Sequence, residues 1–297
     1  MMLDVTGSMA GSKIEDLKVA AKDLIDIVVW DDQSQYTSKV ALVPFAEAVR
    51  IDDTLKTSLA IPGGSSITFT NKSGRSTTYK RDANCVTERN GVDALLDTLP
   101  VSTSRPKAFY DADGKCRPEQ ATVVPLTNNK DLLKGKIDDF VASGNTAGQL
   151  GTAWAWYMLS PNWAPKLPTA SKPASYSLLT ELNVKNQPKL KKIAVLMTDG
   201  EYNTEYCSNG VVNDVMSCTL PYGNGTNQSK LLCTAMKLKG IDVYTVGFEL
   251  GNNTTAKNML RDCASSATQF YDADNGEQLK QAFRDIALKI SNLYLTK

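Results

Sequence analysis

The chain has 297 residues, of which 42% are hydrophobic and 22% charged, with 33 Lys and Arg against 32 Asp and Glu. That apolar fraction supports a substantial core, and a net charge of +1 predicts neither the basic footprint of a nucleic-acid binder nor a polybasic membrane patch. Histidine is absent, which excludes Ser-His-Asp and Cys-His catalysis and every His-ligated metal, so any metal here is held by oxygen or by cysteine.

The opening Met1 to Thr6 reads as the end of a buried strand whose front is missing, against a usual strand of about five or six residues. A natural start upstream, carrying an export or anchor segment, is the expectation. A polar loop, Gly7 to Ser12, leads into an amphipathic helix over Lys13–Val28, with Ile14, Leu17, Ala21, Leu24 and Val28 on one face. Val40–Phe45 is a short apolar strand, with Ala48–Ile51 as its expected hairpin partner. From Asp53 to Glu119 the chain turns polar and irregular and reads as an insertion. Ala121–Leu126 resumes the strand pattern, Asn128–Val141 reads as a helix, and Ser143–Thr146 as a loop. A helix over Gly148–Leu159 carries Trp154 and Trp156, which cannot share one face; one is expected in the core and the other over the insertion. Pro161–Leu190 reads as a Pro/Ser-rich surface connection. Lys192–Thr198 is the clearest buried strand and ends in Asp199-Gly200. A second polar insertion, Tyr202–Gln228, precedes a helix over Ser229–Lys239, a strand over Asp242–Phe248, a helix over Ala256–Ala264, a strand over Gln269–Tyr271 and a last helix over Glu277–Leu293.

Strands alternating with helices predict a single α/β domain over residues 1–297, with a mostly parallel sheet between two helical layers. No apolar run reaches the ~18 residues of a transmembrane helix. The six cysteines lack C-x-x-C spacing, which argues against a zinc ribbon or a thioredoxin-type site. An even, widely spaced set fits disulfides and an oxidising compartment, six unrelated buried thiols being the alternative. The layout predicts Cys85–Cys116 inside the first insertion, Cys207–Cys218 inside the second, and Cys233–Cys263 between helices flanking one strand.

In such sheets ligands bind at the carboxyl ends of the strands, and three loops there hold small oxygen donors. Asp4-Val5-Thr6-Gly7-Ser8 places Asp4, Thr6 and Ser8 alternately in a loop leaving a strand. Asn145-Thr146 precedes a helix, and Thr198-Asp199-Gly200 follows the clearest strand. Two carboxylates and three hydroxyls suit a hard divalent cation that keeps water and stays electrophilic. Each element alone is also an ordinary helix cap. Asp111-Ala112-Asp113-Gly114 lacks the rest of a calcium loop and reads as a glycine turn. Asn71-Lys72-Ser73, Asn224-Gly225-Thr226 and Asn227-Gln228-Ser229 match the N-glycosylation sequon and read as polar loops. Glu201 and Glu205 read as solvated loop carboxylates.

The D-x-T-x-S pattern of Asp4, Thr6 and Ser8, with Thr146 and Asp199, resembles the von Willebrand factor A family. The resemblance implies a three-layer, Rossmann-like domain. It also implies a metal-ion-dependent adhesion site at Asp4, Thr6, Ser8, Thr146 and Asp199 that takes Mg²⁺, with Mn²⁺ or Ca²⁺ as alternatives, and a protein partner that offers it a carboxylate. Gly151–Trp163, Met197–Glu201, Gly240–Phe248 and the tail Ile290–Lys297 further resemble the TadG-like proteins of bacterial tight-adherence pilus assembly. That implies a non-enzymatic pilus-associated module with pilus or pseudopilin partners. It also implies a periplasmic or cell-surface location, anchored to the inner membrane by a segment this sequence lacks. The enzymatic alternative is a Mg²⁺-dependent phosphohydrolase of haloacid-dehalogenase type with Asp4 as nucleophile. That family wants an Asp two residues on as general acid, and position 6 is Thr, which cannot perform that transfer at neutral pH. A passive pilus component with a vestigial site is the third reading.

Overall fold

The computed structural model describes residues 1–34, 36–61, 65–70, 73–184, 186–212 and 218–295. Its central sheet runs, edge to edge, through β10 (Phe270–Ala273), β9 (Asp242–Phe248), β8 (Ile193–Thr198), β1 (Met2–Asp4), β2 (Val40–Phe45) and β7 (Val124–Thr127). The first five are parallel, and only β7 runs antiparallel, against β2. β1 lies in the middle, with Leu3 opposite Met197 on one side and Pro44 on the other. Chain order reverses there, because β2 lies to one side of β1 and β8, β9 and β10 to the other. A crevice therefore opens at the carboxyl ends of β1 and β8.

The strands are continuous apolar runs because both faces are covered. Period-two alternation sends Met2, Val43 and Leu196 into one core and Leu3, Leu42 and Val195 into the other. The first core is closed by α4 (Gly148–Tyr157), α5 (Gly225–Leu238) and α6 (Thr254–Cys263). The second is closed by α1 (Ser12–Val28), α3 (Lys130–Asp138) and α7 (Gly276–Leu295). The three-layer α/β arrangement is the one expected. α1 buries Ile14, Leu17, Ala21, Leu24 and Val28, the face its spacing predicts. α4 is buried at every position, so Trp154 and Trp156 both lie in the core despite their spacing. Trp156 Nε1 donates to the Tyr176 hydroxyl at 2.9 Å, which satisfies its one polar group. Among the described residues, no helix is long and apolar enough to cross a membrane.

Three segments differ from the sequence reading. Val49–Arg50 (β3) does not pair with β2, whose two edges are taken by β1 and β7; it pairs antiparallel with β5 (Ser76–Val86). Residues 53–119 hold regular elements: α2 (Asp53–Leu59) precedes β4 (Ser66–Thr70), and β5 pairs with both β4 and β6 (Ala108–Asp111). β4 alternates, with Ile67 and Phe69 packed toward Tyr79, the Phe69 and Tyr79 ring centres 5.1 Å apart, and its exposed face carries Ser66, Thr68 and Thr70, where Thr68 pairs with Thr78 at 2.8 Å between hydroxyl oxygens. Arg89 anchors this unit. It is 2% exposed, lies over the rings of Tyr157 and Trp163, and donates to the carbonyls of Leu96 and Ser104. Residues 161–190 are more than a surface connection, since Trp163 is fully buried and stacks on Tyr157 with ring centres 3.9 Å apart.

All three expected disulfides are present: Cys85–Cys116, Cys207–Cys218 and Cys233–Cys263. The last ties α5 to α6, with Cα atoms 5.0 Å apart. α5 starts at Gly225, earlier than its apolar pattern shows, because the Asn224 side chain accepts from Asn227 N and caps it. The Asn224 and Asn227 sequons therefore sit at a helix start and not in a polar loop. Asn71 and Lys72 of the first sequon, and Thr296 and Lys297 of the tail, lie outside the described residues.

Candidate metal centre

Asp4 is the last residue of β1, and Asp199 follows the last residue of β8, so parallel pairing of the two strands brings both carboxyls to one end of the sheet. Asp4 is fully buried, and each of its oxygens is held. Thr6 N and Thr6 Oγ1 reach Oδ1 at 2.9 and 2.6 Å, and Thr198 Oγ1 donates to Oδ2 at 2.6 Å. Thr6 Oγ1 lies 3.0 Å from Ser8 Oγ, which in turn donates to Asp199 Oδ1 at 2.6 Å. Lys13 Nζ donates to Asp199 Oδ2 at 3.0 Å. Asp4, Thr6, Ser8 and Asp199 are thus one hydrogen-bonded chain, open to solvent at Ser8.

Counting protons shows what this chain lacks. Three oxygen–oxygen contacts join Asp4, Thr6, Ser8 and Asp199, while the two hydroxyls bring one proton each. With both carboxyls ionised, one contact has no hydrogen. That leaves the lone pairs of Thr6 Oγ1 and Ser8 Oγ facing one another, an arrangement that a proton on a carboxyl or a cation among the oxygens would relieve. Burial, and then the charge of Asp199, push the Asp4 carboxyl above the usual carboxylate range, against the hydrogen bonds from Thr198 and Thr6 that lower it. The donor set therefore fits a hard cation: two carboxylates, with hydroxyls that can turn lone pairs inward. Among the described residues, no group of three or more His, Cys, Asp or Glu forms a metal-binding cluster, so a cation here depends on the hydroxyls.

Thr146 lies in the loop between these two. That loop is sewn to the first by Ser143 N to Val5 O and Gly7 N to Gly144 O, both 2.9 Å. It is sewn to the third by Thr146 N to Asn203 Oδ1 at 3.0 Å and Asn203 N to Thr146 O at 2.9 Å. Thr146 is buried in this seam, and no hydrogen bond joins its hydroxyl to the Asp4–Asp199 chain.

Two participants escape the sequence reading. Thr198 fixes the second oxygen of Asp4, a role visible only once β1 and β8 are paired. Lys13 has a local signal: a cation in the first turn of a helix opposes the helix dipole and calls for an anion nearby. Glu205 is not solvated; it is buried, and its Oε1 accepts from Gly225 N at the start of α5. Glu201 is exposed. Asp111 and Asp113 flank a turn at Gly114, with a φ of 72°, and face Arg117 at 3.6 and 3.1 Å. That is the glycine turn expected.

A cavity of about 330 Å³ lies at the opposite end of the sheet, lined by Met1, Val40, Ala41, Ile193, Ala194 and Val195 among others. β2 and β8 each begin three residues before Met2's partners, Val43 and Leu196, and the cavity fills the space between their overhangs. It holds none of the residues of the candidate centre.

No family model matches the sequence, and no curated protein matches it either. Solved structures do. The von Willebrand factor domain of the type V pilus tip protein Mfa5 from Porphyromonas gingivalis superposes with a TM-score of 0.51 at 13% identity, over 99% of this chain and 94% of that one. The pilus adhesin SpaC from Lactobacillus rhamnosus GG gives a TM-score of 0.49 at 14% identity, over 98% of this chain. Proximal thread matrix protein 1 from the mussel byssus, solved with a zinc-occupied adhesion motif, gives 0.46 at 13% identity, over 98% of this chain. The chain spans 30% of the SpaC chain and 46% of the byssus chain. The molecule thus shares the fold of the von Willebrand factor domain of a pilus tip protein.

Proposed function

We propose that this chain is a non-enzymatic, divalent-cation-dependent protein-binding module of von Willebrand factor A type, working in pilus assembly or adhesion. The observation that carries the reading is the Asp4–Thr6–Ser8–Asp199 chain at the carboxyl ends of β1 and β8, one proton short of its contacts. Asp4 and Asp199 supply the negative charge, Thr6 and Ser8 the hydroxyl oxygens, and Thr146 stands in the adjoining loop. Mg²⁺ suits so compact a set of hard oxygens, with Mn²⁺ or Ca²⁺ as alternatives. When bound, the cation supplies an electrophilic position that a partner's carboxylate can complete.

The chain's own residues favour docking over chemistry. Asp4 is fully buried with both oxygens engaged, which suits a ligand-holding carboxylate and not a nucleophile that must reach a phosphorus. Thr at position 6 donates to Asp4 and cannot serve as the general acid of a phosphohydrolase. Three disulfides accord with an oxidising, periplasmic or cell-surface setting. The shared fold with a pilus tip domain accords with other pilus components, pseudopilins included, as the partners. A TadG-like role anchored to the inner membrane remains the most specific form of this proposal.

The test is retention on an immobilised glutamate-rich peptide. Retention with Mg²⁺, release by EDTA, and loss in Asp199→Ala with unchanged circular dichroism would support the reading. Retention that survives EDTA would overturn it.

A further inference from the structure

Lys13 is the one cation in direct contact with the Asp4–Asp199 chain among the described residues, and it touches two carboxylates. Its Nζ donates to Asp199 Oδ2 at 3.0 Å and lies 3.6 Å from Glu249 Oε2. The two acceptors differ in exposure: the Asp199 side chain is 1% exposed and that of Glu249 is 36%. Glu249 follows β9 with a φ of 50°, a left-handed conformation that costs a non-glycine residue energy. Its N–H is fixed to Ala273 O at 2.7 Å. The turn after β9 is thus held in an unfavourable conformation with its carboxylate beside the ammonium that already serves Asp199.

We propose that Lys13 is a tethered counter-ion of the candidate centre: it neutralises Asp199 while no divalent cation is bound and passes to Glu249 when one loads. The inference rests on the cation-binding reading above and adds a regulating residue to it. Asp4 and Asp199 carry at most two negative charges, and Lys13 cancels one of them. A divalent cation reaching Asp199 meets an ammonium on the same carboxylate and is repelled until it leaves. The lysine stem is flexible, and Nζ already lies within 4 Å of both acceptors, so the exchange requires no backbone movement. Glu249 keeps the displaced charge paired. The consequence is a threshold: the centre fills only where free divalent cation is abundant enough to displace the lysine.

The experiment combines Mg²⁺ titration by calorimetry with mass-spectrometric mapping of lysine acetylation, on wild type, Lys13→Gln and Glu249→Gln. Lys13→Gln is expected to bind Mg²⁺ about tenfold tighter, and Glu249→Gln a few-fold weaker. In wild type, acetylation of Lys13 is expected to quicken on adding Mg²⁺, as the amine leaves a buried carboxylate for an exposed one. If wild type binds Mg²⁺ but Lys13→Gln matches it within twofold and Lys13 acetylation does not change, the counter-ion role is overturned and the cation site stands. If wild type and Lys13→Gln are folded and neither binds, the cation site and the counter-ion role fall together.

Discussion

Ser8 Oγ donates to Asp199 Oδ1 at 2.6 Å across 191 positions of sequence. That bond closes the candidate centre, and it exists only because β1 and β8 are parallel neighbours, with Leu3 opposite Met197. The centre is therefore a property of the sheet, and damage to the β1–β8 seam is damage to the site.

The seam's own test is Thr198→Val. It keeps the shape of a buried residue and removes the hydroxyl that donates to Asp4 Oδ2 at 2.6 Å. A buried carboxylate oxygen then loses a partner, at a cost of about 1–3 kcal/mol. Urea unfolding of metal-free protein at neutral pH should show that loss, and Thr198→Ser should recover most of it. Equal stability of all three proteins would contradict the assignment.

Glu88 sets a pH dependence away from the centre. Burial outweighs its hydrogen bonds from Gln149 Nε2, at 2.8 Å, and Tyr206 N, together with the attraction of Lys107, and the Glu88 carboxyl is pushed up from 4.5 to about 7. A carboxyl raised on folding binds its proton more tightly in the native state. Its contribution is neutral below about pH 4.5, turns against the fold as pH rises, and reaches its full cost of about 3 kcal/mol above pH ~7. Thermal unfolding of wild type and Glu88→Gln from pH 4.5 to 8 should show the variant gaining on wild type as pH rises. Parallel curves would refute it.

Gly148→Ala should disturb packing beside the third loop. A Cβ at Gly148 would sit 2.0 Å from Tyr202 Cε1, and that ring is buried edge-on to Phe45. Overpacking of this kind costs about 1–3 kcal/mol. The expected result is a lower melting temperature with an altered near-UV signal from Tyr202. An unchanged melting temperature would show that the ring moves freely.

The Cys233–Cys263 bond closes a loop of about 30 residues between α5 and α6. Replacing both cysteines with alanine should cost roughly 3–4 kcal/mol by releasing the unfolded chain. Denaturant unfolding measures this, and a loss well under 1 kcal/mol would show that packing of α5 on α6 suffices without it.

The strands of the central sheet were legible because burial on both faces leaves continuous apolar runs. Val40–Phe45 and Asp242–Phe248 have the bounds their composition shows. The cysteine pairs followed from their placement beside one another along the chain. The sheet of the first insertion was not legible, because its apolar signal is short: Ile67 and Phe69 pack toward Tyr79 on one face, while Ser66, Thr68 and Thr70 fill the exposed one. In the candidate centre, Asp4, Thr6, Ser8 and Asp199 stood out as oxygen donors at strand ends. Thr198 did not, because its partner comes from a strand pairing that no local pattern encodes, and the place of Lys13 in the first turn of α1 signals an anion without naming which one. Thr146 lies in a loop beside the other two, and its observed contacts are those of its backbone.

The most direct measurement is divalent-cation calorimetry on metal-stripped protein, wild type beside Asp4→Ala. Saturable one-to-one binding of Mg²⁺ or Mn²⁺ by wild type, lost in a variant whose circular dichroism is unchanged, is the predicted result. A folded wild type that binds neither of these nor Ca²⁺ would contradict the central claim.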